Sequence, residues 1–399
     1  MIRPGGWVSW IGTHLQDRSI SMEWNRMAGA LVLTLAATLT LGCGAERPSS
    51  QFTEAPITVQ DISGREVRLD RPAQRVLLGE GRQLLALSLI HPDPTELLVG
   101  WLGDLKRLDP ATYELYRERS PAIDEIPQVG ATSEETFSIE KALAVEPDIA
   151  ILSGGHGPSE ASSETVRLLE AAGIPVVFID FRNEPLTNTI PSIRILGQVL
   201  GMEERAEEFI AFYEARMQEI ADRLSGQVIE RPKVYMEMHA GGDRPCCGSP
   251  GKGNLGDYIE FAGGENIGAS VLPGPLGTLN LEYIIAEDPV VYIGTGGSTN
   301  EVGIRIGTGV EEEIARETLA QVVERPGIRG LTAVERGRAH ALWHNFYNSP
   351  VNILAVEVLA KWIHPELFED LDPEATLEEL NERFLAVPLR GSYWTTLGD

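Results

Sequence analysis

Two stretches of this chain can be laid over one another without a gap: residues 138–155, SIEKALAVEPDIAILSGG, and residues 280–297, NLEYIIAEDPVVYIGTGG. Glu140 falls on Glu282, Ala144 on Ala286, Pro147 on Pro289 and Ile151 on Ile293, and the two Gly-Gly pairs coincide. Each copy reads as a helix opened by a glutamate, a proline turn, a buried strand and a glycine loop at the strand's carboxyl end. Unrelated helix-turn-strand units share apolar periodicity, but they have no reason to keep a glutamate, a proline and a glycine pair in register. Duplication of an α/β unit is the better reading, and it implies two related lobes.

The surroundings of each copy agree. Short apolar runs at 75–78, 96–100, 149–152 and 176–179 alternate with helical patterns at 84–89, 139–144 and 162–172. The alternation restarts with strands at 233–238, 290–293 and 339–342 and helices at 258–262 and 314–323, and two helices at 351–363 and 377–385 close the chain. Strands alternating with helices predict a parallel sheet covered on both faces. Between the two sets lies EERAEEFIAFYEARMQEIADRL, residues 203–224, with Ala206, Phe209, Ile210, Tyr213, Met217, Ile220 and Leu224 at helical spacing. Such a helix is about 33 Å long. The fold class is therefore α/β, two Rossmann-like lobes with central parallel sheets joined by a single long interlobe helix. The expected division is 57–189 for the first lobe, 190–224 for the interlobe helix region and 225–399 for the second lobe with its terminal helices. A hairpin at 57–59 and 66–69, turning at Asp61-Ile62-Ser63-Gly64, opens the first lobe.

Residues 27–41, MAGALVLTLAATLTL, form an uncharged apolar run that is short for a membrane span but suits a secretory signal. Leu39-Thr40-Leu41-Gly42-Cys43 resembles a bacterial lipobox, with Thr40 where leucine is commonest. On that reading 1–42 is a signal peptide, with translation beginning at Met22, and Cys43 is the lipidated first residue of the mature chain. The Pro- and Ser-rich residues 43–56 are then a tether, and the membrane is reached through the lipid alone. A formal charge of −26 argues against nucleic acid as a partner, because phosphates would be repelled.

These features together resemble the periplasmic substrate-binding lipoproteins of ATP-driven importers for iron complexes and cobalamin. The resemblance spans roughly 57–365 and rests on the lipobox, the opening hairpin, the two repeated blocks, Gly263-Gly264-Glu265-Asn266-Ile267 and the helix between lobes. It implies a monomeric, non-enzymatic ABC transporter component in the periplasm or cell envelope that binds its ligand between two lobes and needs no cofactor. It also implies that Glu140 and Glu282 dock to arginines of the membrane permease, and a glutamate in an exposed first turn is favoured by the helix dipole while remaining free for a partner.

Ligands bind at the carboxyl ends of parallel strands, so the cleft loops supply the ligand candidates. These are Glu80, Arg82, Trp101, His156, Arg182, His239, Arg244, Arg305, Trp343, Phe346 and Tyr347. Guanidinium forks and aromatic faces suit an anionic, partly planar iron chelate such as a ferric siderophore, with cobalamin or haem the alternative. No histidine pair has chelating spacing on one helix, since His340 and His344 fall across a strand. Cys246-Cys247 in an oxidising compartment points to a vicinal disulfide ahead of two free thiols or a soft-metal pair. Gly251-Lys252-Gly253-Asn254-Leu255-Gly256 fits a dinucleotide pattern, but no strand runs directly into it, so it reads as a ligand-facing loop. A secreted metal-dependent enzyme using the same cleft is the competing class, although no nucleophile elbow, HExxH or P-loop is found.

Overall fold

The computed structural model describes residues 56–153, 164–226, 230–242 and 246–398. The signal, the lipobox cysteine Cys43, His156 and Arg244 lie outside the described residues. Among the described residues no helix is long and apolar enough to cross a membrane.

The chain opens with an antiparallel hairpin, β1 (Ile57–Gln60) and β2 (Glu66–Leu69). The Asp61 carboxylate accepts from the Ser63 and Arg65 backbone N–H groups and so holds the turn. The first sheet contains β3 (Val76–Leu78), β4 (Leu98–Leu102), β5 (Gln128–Gly130), β6 (Ile149–Leu152) and β7 (Val176–Phe178), in the order β5-β4-β3-β6-β7, all parallel. The second contains β8 (Lys233–Glu237), β10 (Glu265–Asn266), β12 (Val291–Gly296), β14 (Ala339–Trp343) and β16 (Trp394–Thr396), in the order β10-β8-β12-β14-β16. Its first four strands are parallel and β16 runs antiparallel along the edge. Two small antiparallel pairs complete the strands, β9 (Gly248–Pro250) with β11 (Leu276–Thr278) and β13 (Gly307–Thr308) with β15 (Gly391–Ser392). Every residue of β6 and β12 is buried, as a strand covered on both faces requires.

The helices are α1 (Leu84–Ile90), α2 (Asp104–Leu108), α3 (Pro110–Arg119), α4 (Ile139–Ala144), α5 (Glu164–Ala171), α6 (Pro185–Leu200), α7 (Glu203–Ser225), α8 (Leu255–Phe261), α9 (Leu281–Glu287), α10 (Glu312–Val323), α11 (Thr332–Glu335), α12 (Ile353–Ile363) and α13 (Pro373–Arg383). The two repeats fold alike. Ser138 caps α4 and Asn280 caps α9 with their side chains, and each helix leads through a left-handed residue before the proline, Glu146 at φ 47° and Asp288 at φ 43°. The repeated strands β6 and β12 occupy equivalent places in the runs β4-β3-β6-β7 and β10-β8-β12-β14.

α7 is the expected long helix, one residue longer. The interval 190–224 also holds most of α6, a separate helix that ends where Gly201 turns left-handed at φ 67°. Gly197 of α6 lets the two helices touch, because a Cβ there would lie 2.5 Å from the Ala206 Cβ. Phe209, Phe212 and Tyr213 bury the inner face of α7, with Phe209 meeting Phe384 edge-on at 5.6 Å. The Tyr213 hydroxyl donates to Asn352 at 2.8 Å, and the Asn352 amide donates to Thr189 at 3.0 Å, so α6, α7 and the start of α12 share one buried polar knot. The outer face is held by ion pairs from Arg216 to Glu379 and from Arg223 to Asp370. α7 packs against α1 from the first half and α12 from the second, and so connects the two halves.

Candidate functional site

The carboxyl ends of the parallel strands of both sheets meet. After β3 come Glu80 and Arg82, after β4 Asp104, after β6 Ser153 and after β7 Arg182; after β8 comes His239, and after β14 His344, Tyr347 and Asn348. Bonds cross between the halves at several points. Arg82 Nη1 donates to the Tyr347 hydroxyl at 2.7 Å, and the Asn348 amide donates to Glu80 Oε1 at 2.5 Å. The Gln83 amide reaches Asn348 Oδ1 at 3.0 Å, and the Asn345 amide reaches Asp109 at 3.2 Å. The hydroxyls of Thr112 and Thr308 lie 2.6 Å apart.

Arg82 is the hub. Its Nη2 pairs with Glu80 at 2.5 Å and its Nε with Asp104 at 3.0 Å, and both carboxylates are buried. Glu80 also accepts from Ser153 Oγ at 2.5 Å. Burial would push the Glu80 carboxyl up, but the charge of Arg82, the Ser153 hydrogen bond and the charge of Arg182 outweigh it and hold the group below its ordinary value. Asp104 goes the other way. Burial and the nearby negative Glu80 push it up to about 6, against the pull of Arg82 and of the Gly81 and Arg82 N–H groups. Burial alone would weaken the Arg82 cation, yet Glu80, Tyr347 and Asp104 raise it well above its ordinary value. The charge of Arg82 is therefore already matched within the protein.

The second half brings aromatic and imidazole rings to the same place. The guanidinium carbons of Arg82 and Arg182 each lie 5.4 Å from the centre of the Tyr347 ring, on cation–π terms. The rings of His239 and His344 lie 3.8 Å apart, and that of Tyr347 lies 4.8 Å from His344. Thr295 at the end of β12 ties the two histidines, its hydroxyl 2.9 Å from His344 Nδ1 and accepting from the His239 N–H at 3.0 Å. Asn254, within the glycine-rich stretch 251–256, donates to the Arg182 carbonyl at 2.5 Å and to the Tyr347 carbonyl at 3.0 Å. That stretch is thus a packed cap for α8 and a tie between the halves. A Cβ on Gly251 or Gly256 would strike a backbone oxygen at 2.1 or 2.0 Å.

The structure gathers Glu80, Arg82, Arg182, His239 and Tyr347 as expected from the loop positions. Three aromatic residues go elsewhere, and the expectation that they face a ligand is corrected. Trp101 is fully buried within β4 and stacks on Tyr113 at 5.9 Å, while Trp343 and Phe346 are buried against each other and Tyr393. Their apolar area is spent on the core, even in the crowded Trp343–Tyr347 run. Arg305 is exposed on the loop after β12, where its N–H donates to Thr318. Cys246 and Cys247 are joined as a vicinal disulfide across a cis peptide, with Cys247 buried and Cys246 exposed. Glu140 and Glu282 are exposed in the first turns of α4 and α9. Asp104, Ser153, Asn254 and Asn348 are the site residues that the sequence did not disclose. Asp104 and Asn254 do stand at helix starts, a signal that could have drawn attention to them.

The sequence matches the periplasmic binding protein family over residues 88–342. No curated protein matches it. Among solved structures, it resembles a TroA-like periplasmic binding protein, FepB, from Veillonella parvula, at 27% identity, covering 86% of this chain and 100% of that one with a TM-score of 0.79. The molybdate periplasmic binding protein MolA of a Haemophilus influenzae ABC transporter shares the fold at 19% identity, covering 84% of this chain and 99% of that one with a TM-score of 0.63. A periplasmic heme-binding protein from Pseudomonas aeruginosa does so at 22% identity, covering 73% and 93% with a TM-score of 0.51. These relatives are solute receptors, which sets aside the metal-dependent enzyme. With a family match over most of the chain and the parallel strands of two sheets meeting at their carboxyl ends, the protein belongs to the periplasmic binding protein family, the extracytoplasmic solute-binding components of ABC transporters.

Proposed function

We propose that the protein captures an iron chelate, specifically a ferric siderophore, between the two sheets and delivers it to an ABC permease while held to the membrane by a lipid on Cys43. The observation that carries the reading is the pair of guanidinium groups, Arg82 and Arg182, set around the Tyr347 ring at the strand ends. Arg82 is neutralised by Glu80 and Asp104, so Arg182 is the cation that an anionic chelate meets, and Tyr347 with His239 and His344 supplies flat faces beside it. Glu140 and Glu282, projecting from equivalent helices, are the permease contacts.

The same imidazoles and phenol favour one second reading, haem or cobalamin, because His239, His344 and Tyr347 are groups that ligate iron or cobalt directly. The test is tryptophan quenching of the purified protein with ferric hydroxamate, ferric catecholate, haemin and cyanocobalamin. A siderophore receptor saturates at one ferric chelate per chain without converting it, and Arg182→Ala weakens that binding at least tenfold. Saturation by haemin or cyanocobalamin alone would replace the first reading with the second, and chemical turnover of the chelate would overturn both.

A further inference from the structure

A second cavity, of about 930 Å³, lies at the open edge of the second sheet and shares none of the cleft residues named above. Its walls come from β16, the amino-terminal turns of α10 and α13 and the end of α12. The volume falls in the range of small-molecule sites. Two indoles line it, Trp362 and Trp394, and His340 lies flat on Trp362 with 4.3 Å between ring centres and 12° between planes.

The charged groups in the wall are not equally satisfied. Arg338 is spent on the last carbonyls of α12, donating to Trp362 O at 2.6 Å and Ile363 O at 3.0 Å. The Lys361 ammonium donates to the Leu371 carbonyl at 2.6 Å and the Glu369 carbonyl at 3.5 Å. Arg390 is exposed at the rim. Of the carboxylates, Glu312 pairs with Arg316 and Asp372 caps α13 by accepting from the Glu374 and Ala375 N–H groups, so Glu374 is the one left beside other negative charge. Burial, Asp372 and Glu312 all push Glu374 above its ordinary value, and the Trp394 side chain is the donor that relieves it. Two buried polar atoms in the wall, His340 Nε2 and Thr395 Oγ1, have no hydrogen-bond partner among the described residues, and buried polar groups are rarely left so. His340 cannot answer the negative charge itself: burial and then Arg338 hold its imidazole down to about 3, so it is neutral and offers one hydrogen-bonding nitrogen.

We propose that this cavity is a second ligand site, separate from the cleft, for a small organic ammonium ion that sets its charge against Glu374 and Asp372 and its alkyl body against Trp394 and Trp362. Carboxylate beside indole is the combination that holds an alkylammonium, because the ring face attracts the cation while the carboxylate neutralises it. A cation of that kind also offsets the negative charge that Asp372 and Glu312 set beside Glu374.

Calorimetric titration of the full chain at 0.15 M salt with choline, with putrescine and with 3,3-dimethylbutanol, the neutral isostere of choline, tests the proposal. At least one cation is expected to saturate at one per chain, and the alcohol to bind at least tenfold more weakly. Glu374→Gln and Trp394→Leu should each weaken the cation at least tenfold, whereas Glu66→Gln, an equal loss of charge on the exposed hairpin, should leave it within twofold. Trp394→Phe keeps a ring in place, so partial retention of binding is expected from it even if the leucine variant folds poorly. Failure of both cations to saturate, equal binding of the alcohol, or equal effects of Glu374→Gln and Glu66→Gln would overturn the proposal.

Discussion

Replacing Arg82 by Met would show whether the cleft is organised by one guanidinium. The substitution keeps most of the side chain's volume and removes the ion-pair partner of two buried carboxylates, Glu80 and Asp104. Removing one partner of a buried pair costs roughly 3–5 kcal/mol, a large part of the 5–15 kcal/mol by which a domain is usually stable. The deficit must depend on pH. Glu80 is held below its ordinary value of 4.5, so in the native protein its pairing contributes stability above pH 4.5 that is lost as pH falls through its folded value. Asp104 is raised from 3.8 to about 6, so its ionisation already costs stability as pH rises between those values. Without Arg82 both groups hold protons to higher pH, and the variant avoids part of its penalty by staying neutral in acid. Urea unfolding followed by tryptophan emission should therefore give a deficit of about 3–5 kcal/mol at pH 8 that falls below about 2 kcal/mol at pH 4.5. Arg82→Lys, which keeps the charge but not the fork, should lie between. Equal deficits at the two pH values, or less than about 1 kcal/mol at pH 8, would refute the hub.

Four further outcomes are expected. Burial, only partly offset by Thr376 and Arg216, raises Glu357 from 4.5 to about 7, so wild-type stability falls as pH climbs through that window; Glu357→Gln should gain up to about 3 kcal/mol at pH 8 and nothing below pH 4, and a destabilised variant at pH 8 contradicts this. Changing Glu140 and Glu282 together to Ala should abolish transport in a whole-cell uptake assay while chelate affinity stays within twofold; a loss of affinity would mean that the two glutamates serve the cleft. Intact mass after alkylation without reduction should show neither Cys246 nor Cys247 modified, and two added groups would dismiss the disulfide. Because α7 is continuous and pinned to both halves, solution scattering should change little on ligand binding, and a large rotation of one sheet against the other would contradict a rigid connector.

Legibility in the sequence followed the strength of local pattern. β6 is found at its expected bounds and α7 is one residue longer, because a fully apolar run after a Pro turn and a long uninterrupted helical stripe leave few alternatives. α6 was hidden by Pro191, which reads as a breaker; burial of Ile193, Leu196 and Val199 on one face carries the helix through it. α3 shows little amphipathic contrast, although Asp109 and Pro110 mark its start. β16 has only three residues and owes its place to pairing with β14. In the site, position after a strand found Glu80, Arg82, Arg182, His239 and Tyr347. Residue type could not separate Trp101, Trp343 and Phe346 from ligand-facing aromatics, since a core and a cleft wall want the same rings. Asn348 was invisible for another reason: its partner Glu80 is 268 positions away, and nothing local announces that bond.

The two halves divide the labour at their meeting place. The first half brings the charges, Glu80, Arg82, Asp104 and Arg182, and the second brings dipoles and rings, His239, His344, Tyr347 and Asn348. Two facing charged surfaces would have to lose their hydration together, a cost that often exceeds the attraction gained. Here Arg82, Glu80 and Asp104 are matched within one half, and the other half adds hydrogen bonds to groups already paired, Asn348 donating to Glu80 and the Tyr347 hydroxyl accepting from Arg82. Such a seam can open slightly to admit a ligand without exposing an isolated buried charge. On the proposed function, a ligand then meets Arg182 and the rings of the second half, so specificity can change there while the Arg82 cluster and α7 keep the two sheets in place.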